Sequence, residues 1–169
     1  AAHVLAQKQP VECEVYNDID GEVVNFLLVA RNEPERLRKA CASLPYSREL
    51  YERWKRETPP EDDFERAVRF FYLNRSGIAK GNSDNPFSTS TGWRHSKDHN
   101  TAKAYQSACT VIEAFAERMK NVMIDNRDFR EIIRVYDGPN TLFYVDTPYV
   151  GRDKPYAGAF TEKDHRDLA

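Results

Sequence analysis

The residues best suited to chemistry in this sequence are Asp146, Thr147, Pro148 and Tyr149. They directly follow Thr141 to Val145 (TLFYV), a continuous apolar run of the kind that forms a central buried strand. Pro148 restricts Thr147 to extended backbone, so the Thr147 carbonyl is held in one direction. Asp146 and that carbonyl offer two hydrogen-bond acceptors beside the flat face of Tyr149. This set suits a planar exocyclic amine, such as the amino group of a nucleobase. Hydrogen bonds to the amine protons would localise its lone pair for attack on an electrophile, while the base stacks on the ring. With an unperturbed carboxyl pKa of ~3.9, Asp146 would act through orientation and electrostatics rather than as a strong base. The plainer alternative is a strand end followed by a proline turn.

Two further carboxylates hold comparable positions. Asp18 follows the alternating segment Val11 to Tyr16, and Asp128 follows the short strand candidate Asn121 to Asp125. In open α/β sheets, ligands bind at the carboxyl ends of the strands, where an acidic side chain can accept hydrogen bonds from a ribose diol. The competing role for Asp18 or Asp20 is to cap the next helix.

The elements that must position these groups read as follows. Ala1 to Lys8 is helix-compatible, and a strand over 11–16 leads into a helix that runs to about Ala30 with Val23, Phe26, Leu27 and Ala30 on one face. Pro34 suits the first turn of a short helix, and Ser47 caps another bearing Leu50, Tyr51 and Trp54. Thr58-Pro-Pro-Glu61 reads as a capping box opening a helix with Phe64, Ala67, Val68, Phe71 and Tyr72 on one stripe. The polar stretch from Ser76 to Asn100 predicts a loop or open hairpin. One long amphipathic helix is expected over about 100–119, a short helix over 129–135, and a last helix capped by Thr161. Strands alternating with helices predict a parallel α/β sheet, interrupted by an inserted helical lobe over 34–120.

Composition bounds the function. Hydrophobic residues make up 40% and charged residues 31% of 169, a globular balance that argues against a disordered chain. No apolar run approaches the ~18 residues that a membrane helix needs. The net charge of -2 excludes a uniformly basic nucleic-acid coat, though not a locally basic groove. Between residues 78 and 105 the basic Lys80, Arg94, Lys97 and Lys103 outnumber the acidic Asp84 and Asp98, which suits phosphate contacts. The Asn, Ser, Thr and Arg side chains there could also read base edges; a solvated loop is the alternative. Cys13, Cys41 and Cys109 form no CxxC pair and predict reduced thiols in a cytoplasmic protein. His95 and His99 are spaced i, i+4 around Asp98 but lack a clustered third ligand, so no metal is expected. His3 and His165 are expected at the surface.

The chain resembles DNA adenine methyltransferases of the Dam type. YVDTPYV (144–150) matches their Asp-Pro-Pro-Tyr motif, and EVYNDIDGEVVNF (14–26) resembles their second strand and following helix. FFYLNRSGIAKG (70–81) resembles the lead into their target-recognition region, IDNRDF (124–129) the strand end lining the cofactor's adenine, and FTEKDHRDLA (160–169) the helix after the catalytic loop. The resemblance implies a partial Rossmann-like sheet (1–33 and 121–169) with an inserted helical target-recognition lobe. It implies S-adenosylmethionine as cofactor, double-stranded DNA as partner, neither metal nor membrane, and a cytoplasmic, DNA-associated enzyme of a bacterium, prophage or phage.

Residue by residue, the resemblance makes Asp146, Thr147, Pro148 and Tyr149 catalytic. Asp18, Ile19, Asp128 and Phe129 would contact the cofactor, and Asn74, Arg75, Lys80, Arg94 and Lys97 would contact DNA. The target base would have to leave the duplex. Thr147 stands where the family has its first proline, and its carbonyl can serve equally as acceptor. The family's glycine-rich cofactor loop and further strands would lie before Ala1 and after Ala169, so the chain reads as the middle of such an enzyme. N4-cytosine methylation, or a non-catalytic DNA-binding remnant, are the alternative readings.

Overall fold

The computed structural model describes residues 2–79, 90–147 and 160–169. Of the residues singled out above, Lys80, Pro148 and Tyr149 lie outside these segments. In chain order the elements are α1 (Ala2–Gln7), β1 (Val15–Asn17), α2 (Gly21–Asn32), α3 (Pro34–Ser43), α4 (Arg48–Arg56) and α5 (Asp63–Ser76). The hairpin strands β2 (Gly77–Ala79) and β3 (Ser90–Trp93) follow, then α6 (Thr101–Thr110), α7 (Ile112–Met119), β4 (Met123–Asp125), α8 (Phe129–Tyr136) and α9 (Glu162–Leu168).

β1 and β4 pair in parallel, with Val15, Tyr16 and Asn17 opposite Met123, Ile124 and Asp125. The mixed α/β class and the parallel arrangement agree with the sequence expectation. β2 and β3 are antiparallel, so the described ends of the polar stretch pair with one another.

Most helix starts have local causes visible in the residues. The Asp20 carboxylate accepts from the Glu22 amide at 2.9 Å, Ser47 Oγ from Leu50 at 3.4 Å, and Pro34 occupies the first turn of α3. Thr161 and Asp164 form a reciprocal capping box on α9. α5 differs from expectation: it begins at Asp63, capped by Asp62, which accepts from the Glu65 amide at 2.9 Å. Pro60 explains the delay, because it bars Pro59 from the helical region and pushes the start downstream.

The helix expected over 100–119 is broken at Val111 between α6 and α7. Just before the break, the Ser107 hydroxyl donates to the Lys103 carbonyl and the Thr110 hydroxyl to the Ser107 carbonyl, and such back-bonding competes with the helical ladder.

Thr141 to Val145 is a correction. These residues have no strand partner among the described residues, and Leu142, Tyr144 and Val145 are 92%, 61% and 48% exposed. An apolar run states a preference for burial, but burial needs neighbours, and the described parallel sheet has two strands, neither of which pairs with it.

The larger core gathers Val29 and Ala30 of α2, Leu37 and Cys41 of α3, Leu50 and Tyr51 of α4, Ala67, Phe71 and Tyr72 of α5, and Tyr105 and Cys109 of α6. Helices of the 34–120 stretch thus share one core with α2. A smaller cluster of Tyr16, Leu27, Met119 and Val122 lies against the parallel strands. Tyr105 donates its hydroxyl to the Cys41 carbonyl at 2.9 Å, which satisfies the phenol inside the core. All three cysteines are free, and burial pushes the Cys41 thiol up to about 12, which keeps it protonated and inert.

Two buried charges tie elements together. Glu14, with its side chain 2% exposed, accepts from both Arg118 amino groups at 2.7 Å and pairs with Lys8. Arg69 of α5 donates to the carbonyls of Trp54, Glu57 and Thr58, and so satisfies the end of α4. Arg69→Leu keeps the aliphatic bulk but leaves those carbonyls unmet. It should lower stability by about 2 kcal/mol, since hydrogen bonds to a charged group contribute roughly 1.5–3 kcal/mol; thermal melting reads this directly.

Candidate active site at the ends of the parallel strands

Tyr16 and Asp18 lie two residues apart and so lean to the same side of β1. The Tyr16 ring is buried, and its hydroxyl donates to Asp18 Oδ2 at 3.1 Å. Asp18 Oδ1 accepts from the Asp20 amide at 3.0 Å. Burial raises the Tyr16 phenol well above the ordinary tyrosine range, and the charges of Asp18, Asp146 and Asp20 raise it further. The phenol is therefore a fixed donor at neutral pH. The charge of Asp146 acts on the same hydroxyl from which Asp18 accepts its hydrogen bond.

The loops after β1 and β4 are clasped together. Asn17 Nδ2 donates to the Arg127 carbonyl and the Arg127 amide donates to Asn17 Oδ1, both at 2.9 Å. Asn126 Nδ2 donates to the Asp18 carbonyl at 2.6 Å, and the Asp18 amide to the Asp125 carbonyl at 3.3 Å. Arg127 pairs with Asp125 at 2.5 Å and holds that carboxyl below the usual range.

Asp128 caps α8, accepting from the Arg130 amide at 2.9 Å, and Phe129 opens that helix half-buried. Asp128 thus serves as a helix cap in this geometry. Ile19 is 52% exposed between Asp18 and the α2 cap Asp20, an apolar group at the strand end.

Asn74 and Arg75 lie in the last turn of α5, and Arg94 is tied to that end by its amide, which donates to the Ser76 carbonyl at 2.6 Å. Asn74 donates back to the Phe70 carbonyl at 2.9 Å, and Arg75 lies over the Phe71 ring at 5.7 Å. Arg94 Nε donates to the Gly77 carbonyl at 3.2 Å, and Lys97 is exposed. The Trp93 ring lies 5.2 Å from Tyr46 and 5.8 Å from the stacked His95, with the Arg48 guanidinium 5.2 Å above it.

No cluster of three or more His, Cys, Asp or Glu side chains suited to a metal ion occurs among the described residues. His165 differs from the expectation of a surface residue. It is half-buried, edge-on to Phe160 at 4.8 Å, with Nε2 enclosed.

A model of the D12 class N6 adenine-specific DNA methyltransferase family matches residues 1–168. The chain belongs to this family. Comparison with curated proteins returns no match. The D12 methyltransferases are enzymes that act on adenine N6 in DNA, so the parallel strands and the loops at their ends belong to an adenine-N6 methyltransferase.

Tyr16, Asn17, Asn126 and Arg127 of this D12 methyltransferase join the site without being marked as site residues by the sequence. The i, i+2 placement of Tyr16 and Asp18 was a usable signal. The Asn17–Arg127 clasp bridges 110 positions and left none.

The donor set suits S-adenosylmethionine. Each Asp18 carboxylate oxygen takes one internal hydrogen bond and keeps a further lone-pair direction for a ribose hydroxyl. Phe129 adds an aromatic ring beside the β4 end of the clasp.

Proposed function

We propose that this chain carries the cofactor and catalytic subsites for transfer of a methyl group from S-adenosylmethionine to the N6 amine of an adenine flipped out of double-stranded DNA. The observation that carries the reading is Asp18, held by the Tyr16 hydroxyl and the Asp20 amide beside the clasped ends of two parallel strands, with the charge of Asp146 acting on the same hydroxyl.

In this reading Asp18 accepts from the ribose hydroxyls, with Tyr16 and the Asp20 amide holding its carboxylate in place. Ile19, Asp128 and Phe129 border the adenine of the cofactor. The cofactor supplies the methyl group as an electrophile on sulfur. Asp146 and the Thr147 carbonyl accept hydrogen bonds from the target amine, which keeps the nitrogen lone pair out of the ring and directed at the methyl carbon. Pro148 shapes this turn and Tyr149 stacks on the flipped base. Residues 34–120 serve target recognition, with Asn74, Arg75, Lys80, Arg94 and Lys97 on the DNA. Losing a phosphate contact there would weaken binding at all sequences and flatten its salt dependence.

Calorimetric titration of S-adenosylmethionine into the chain tests the cofactor subsite. Binding should be saturable, and Asp18→Ala should weaken it at least about tenfold, the scale of one lost charge-assisted hydrogen bond. Equal affinity in the two proteins would refute the assignment of Asp18.

A further inference from the structure

Arg130, the second residue of α8, reaches out of its own helix. Its Nη2 meets Asp164 Oδ1 at 2.5 Å and Asp167 Oδ2 at 2.5 Å, and its Nε donates to Asp167 Oδ2 at 2.9 Å. Its Nη1 turns back to Asp128, 3.2 Å from Oδ2. One guanidinium therefore joins the carboxylate that caps α8 to two carboxylates of α9. The same guanidinium covers the Phe129 ring, 4.4 Å from its centroid.

An aromatic contact runs alongside this ionic one. Phe129 lies 5.5 Å from Phe160, and Phe160 lies 4.8 Å from His165, edge-on. α9 is preformed for this role by its own capping box, in which Asp164 Oδ2 accepts from the Thr161 amide while Oδ1 faces Arg130. Hydrogen bonds from Thr161 and then from Arg130 hold the Asp164 carboxyl far below its usual range, so the link stays charged across the neutral range.

The carboxylates of α9 reach Arg130, which turns back to Asp128 and covers the Phe129 ring, and Phe160 packs on that ring from the α9 side. We propose that Arg130 is a positioning residue: through Asp164 and Asp167 it holds α9 against the Asp128–Phe129 turn, and thereby fixes the Phe129 ring in the orientation that stacks on the adenine of S-adenosylmethionine. The proposal rests on the reading of Asp128 and Phe129 as the border of that adenine. α9 thus acts on cofactor affinity without touching the cofactor.

The test is a double-mutant cycle on the dissociation constant of S-adenosylmethionine, measured by calorimetry on the 169-residue chain, with thermal melting of every variant. Phe129→Ala should weaken binding about tenfold and Arg130→Met about fivefold, and the double variant should be no weaker than Phe129→Ala alone within about twofold, because coupled residues are non-additive. Asp167→Asn breaks the link from the α9 side, leaves the Thr161–Asp164 box intact, and should weaken binding about threefold with little change in melting temperature. It carries the test if Arg130→Met unfolds.

Wild-type affinity in Asp167→Asn and Arg130→Met, or losses that simply multiply in the double variant, would overturn the positioning role while leaving the cofactor reading standing. Wild-type affinity in Phe129→Ala would instead overturn the assignment of Phe129 and this inference with it. Asp18→Ala, at the other end of the site, then reports whether the remainder of the cofactor reading survives.

Discussion

Asp146→Ala should abolish methyl transfer, lowering kcat by about a thousandfold or more, while the affinity for S-adenosylmethionine stays within about twofold. The magnitude follows from the role. A single preorganised group aimed at the charge that develops in the transition state contributes on the order of 10²–10³ in rate, and Asp146 would also orient the amine. The near-constant affinity follows from position: Asp146 acts on the Tyr16 hydroxyl only through its charge, whereas Asp18 is hydrogen-bonded to it. Asp146→Asn separates the two contributions. It keeps an acceptor oxygen but loses the charge, and it should retain part of the rate. Single-turnover methylation of a DNA duplex, with the N6-methyladenine product measured, gives both numbers. Turnover near wild type in Asp146→Ala would remove this residue from the mechanism.

The second large effect concerns stability. The hydrogen bonds from Arg118, and secondarily the pairing with Lys8, lower the Glu14 carboxyl from 4.5 to about 2 against the opposing effect of burial. A depressed carboxyl contributes stability that is fully present above its unfolded value and is lost as the pH falls through its folded one. The contribution of Glu14 should therefore fade between pH 4.5 and about 2. Glu14→Gln should cost about 2 kcal/mol near neutral pH, within the range for hydrogen bonds to charged groups. The difference between its stability and that of the wild type should vanish towards the acid end of that window.

Arg118→Met should cost more than Glu14→Gln, because it strands a buried carboxylate with only the half-exposed Lys8 for company. Replacing both partners, as in Glu14→Leu with Arg118→Leu, should recover most of the loss, since a buried ion pair exchanged for well-packed apolar groups is often close to neutral. Urea titrations across the pH range distinguish these outcomes. A Glu14→Gln curve parallel to the wild type from pH 5 to pH 2 would show that the ion pair contributes nothing.

What could be read in advance tracks how local its cause is. Asp20, Ser47 and Thr161 were visible as caps because a cap is a matter of three neighbouring residues. The parallel arrangement followed from the alternation of strands and helices, though not which strands pair. Asp18 and Asp128 stood out because strand ends in such sheets face ligands.

Other features depended on partners far away in the chain. Nothing near Glu14 announces that Arg118, 104 positions on, will take both its oxygens. The delayed start of α5 could have been foreseen, since two adjacent prolines forbid the helix that the capping-box pattern suggested. The TLFYV run shows the opposite limit. Its composition asks for a sheet interior, and the described strands do not provide one. His165 lies between charged residues in the sequence, and only the folded contact with Phe160 covers part of its ring.

The Asn17–Arg127 clasp has a consequence for how such a chain can change. It closes the long excursion from α2 to β4 at its root, so the two ends of that excursion are held at a fixed separation whatever happens between them. Lengthening a surface turn within a closed excursion costs little, about 0.6 kcal/mol for each doubling of its length. The chain between α2 and β4 can therefore be lengthened or shortened at its surface in descent while the clasped strand ends keep their geometry. On the proposed division of roles, sequence preference and chemistry are then free to evolve at different speeds.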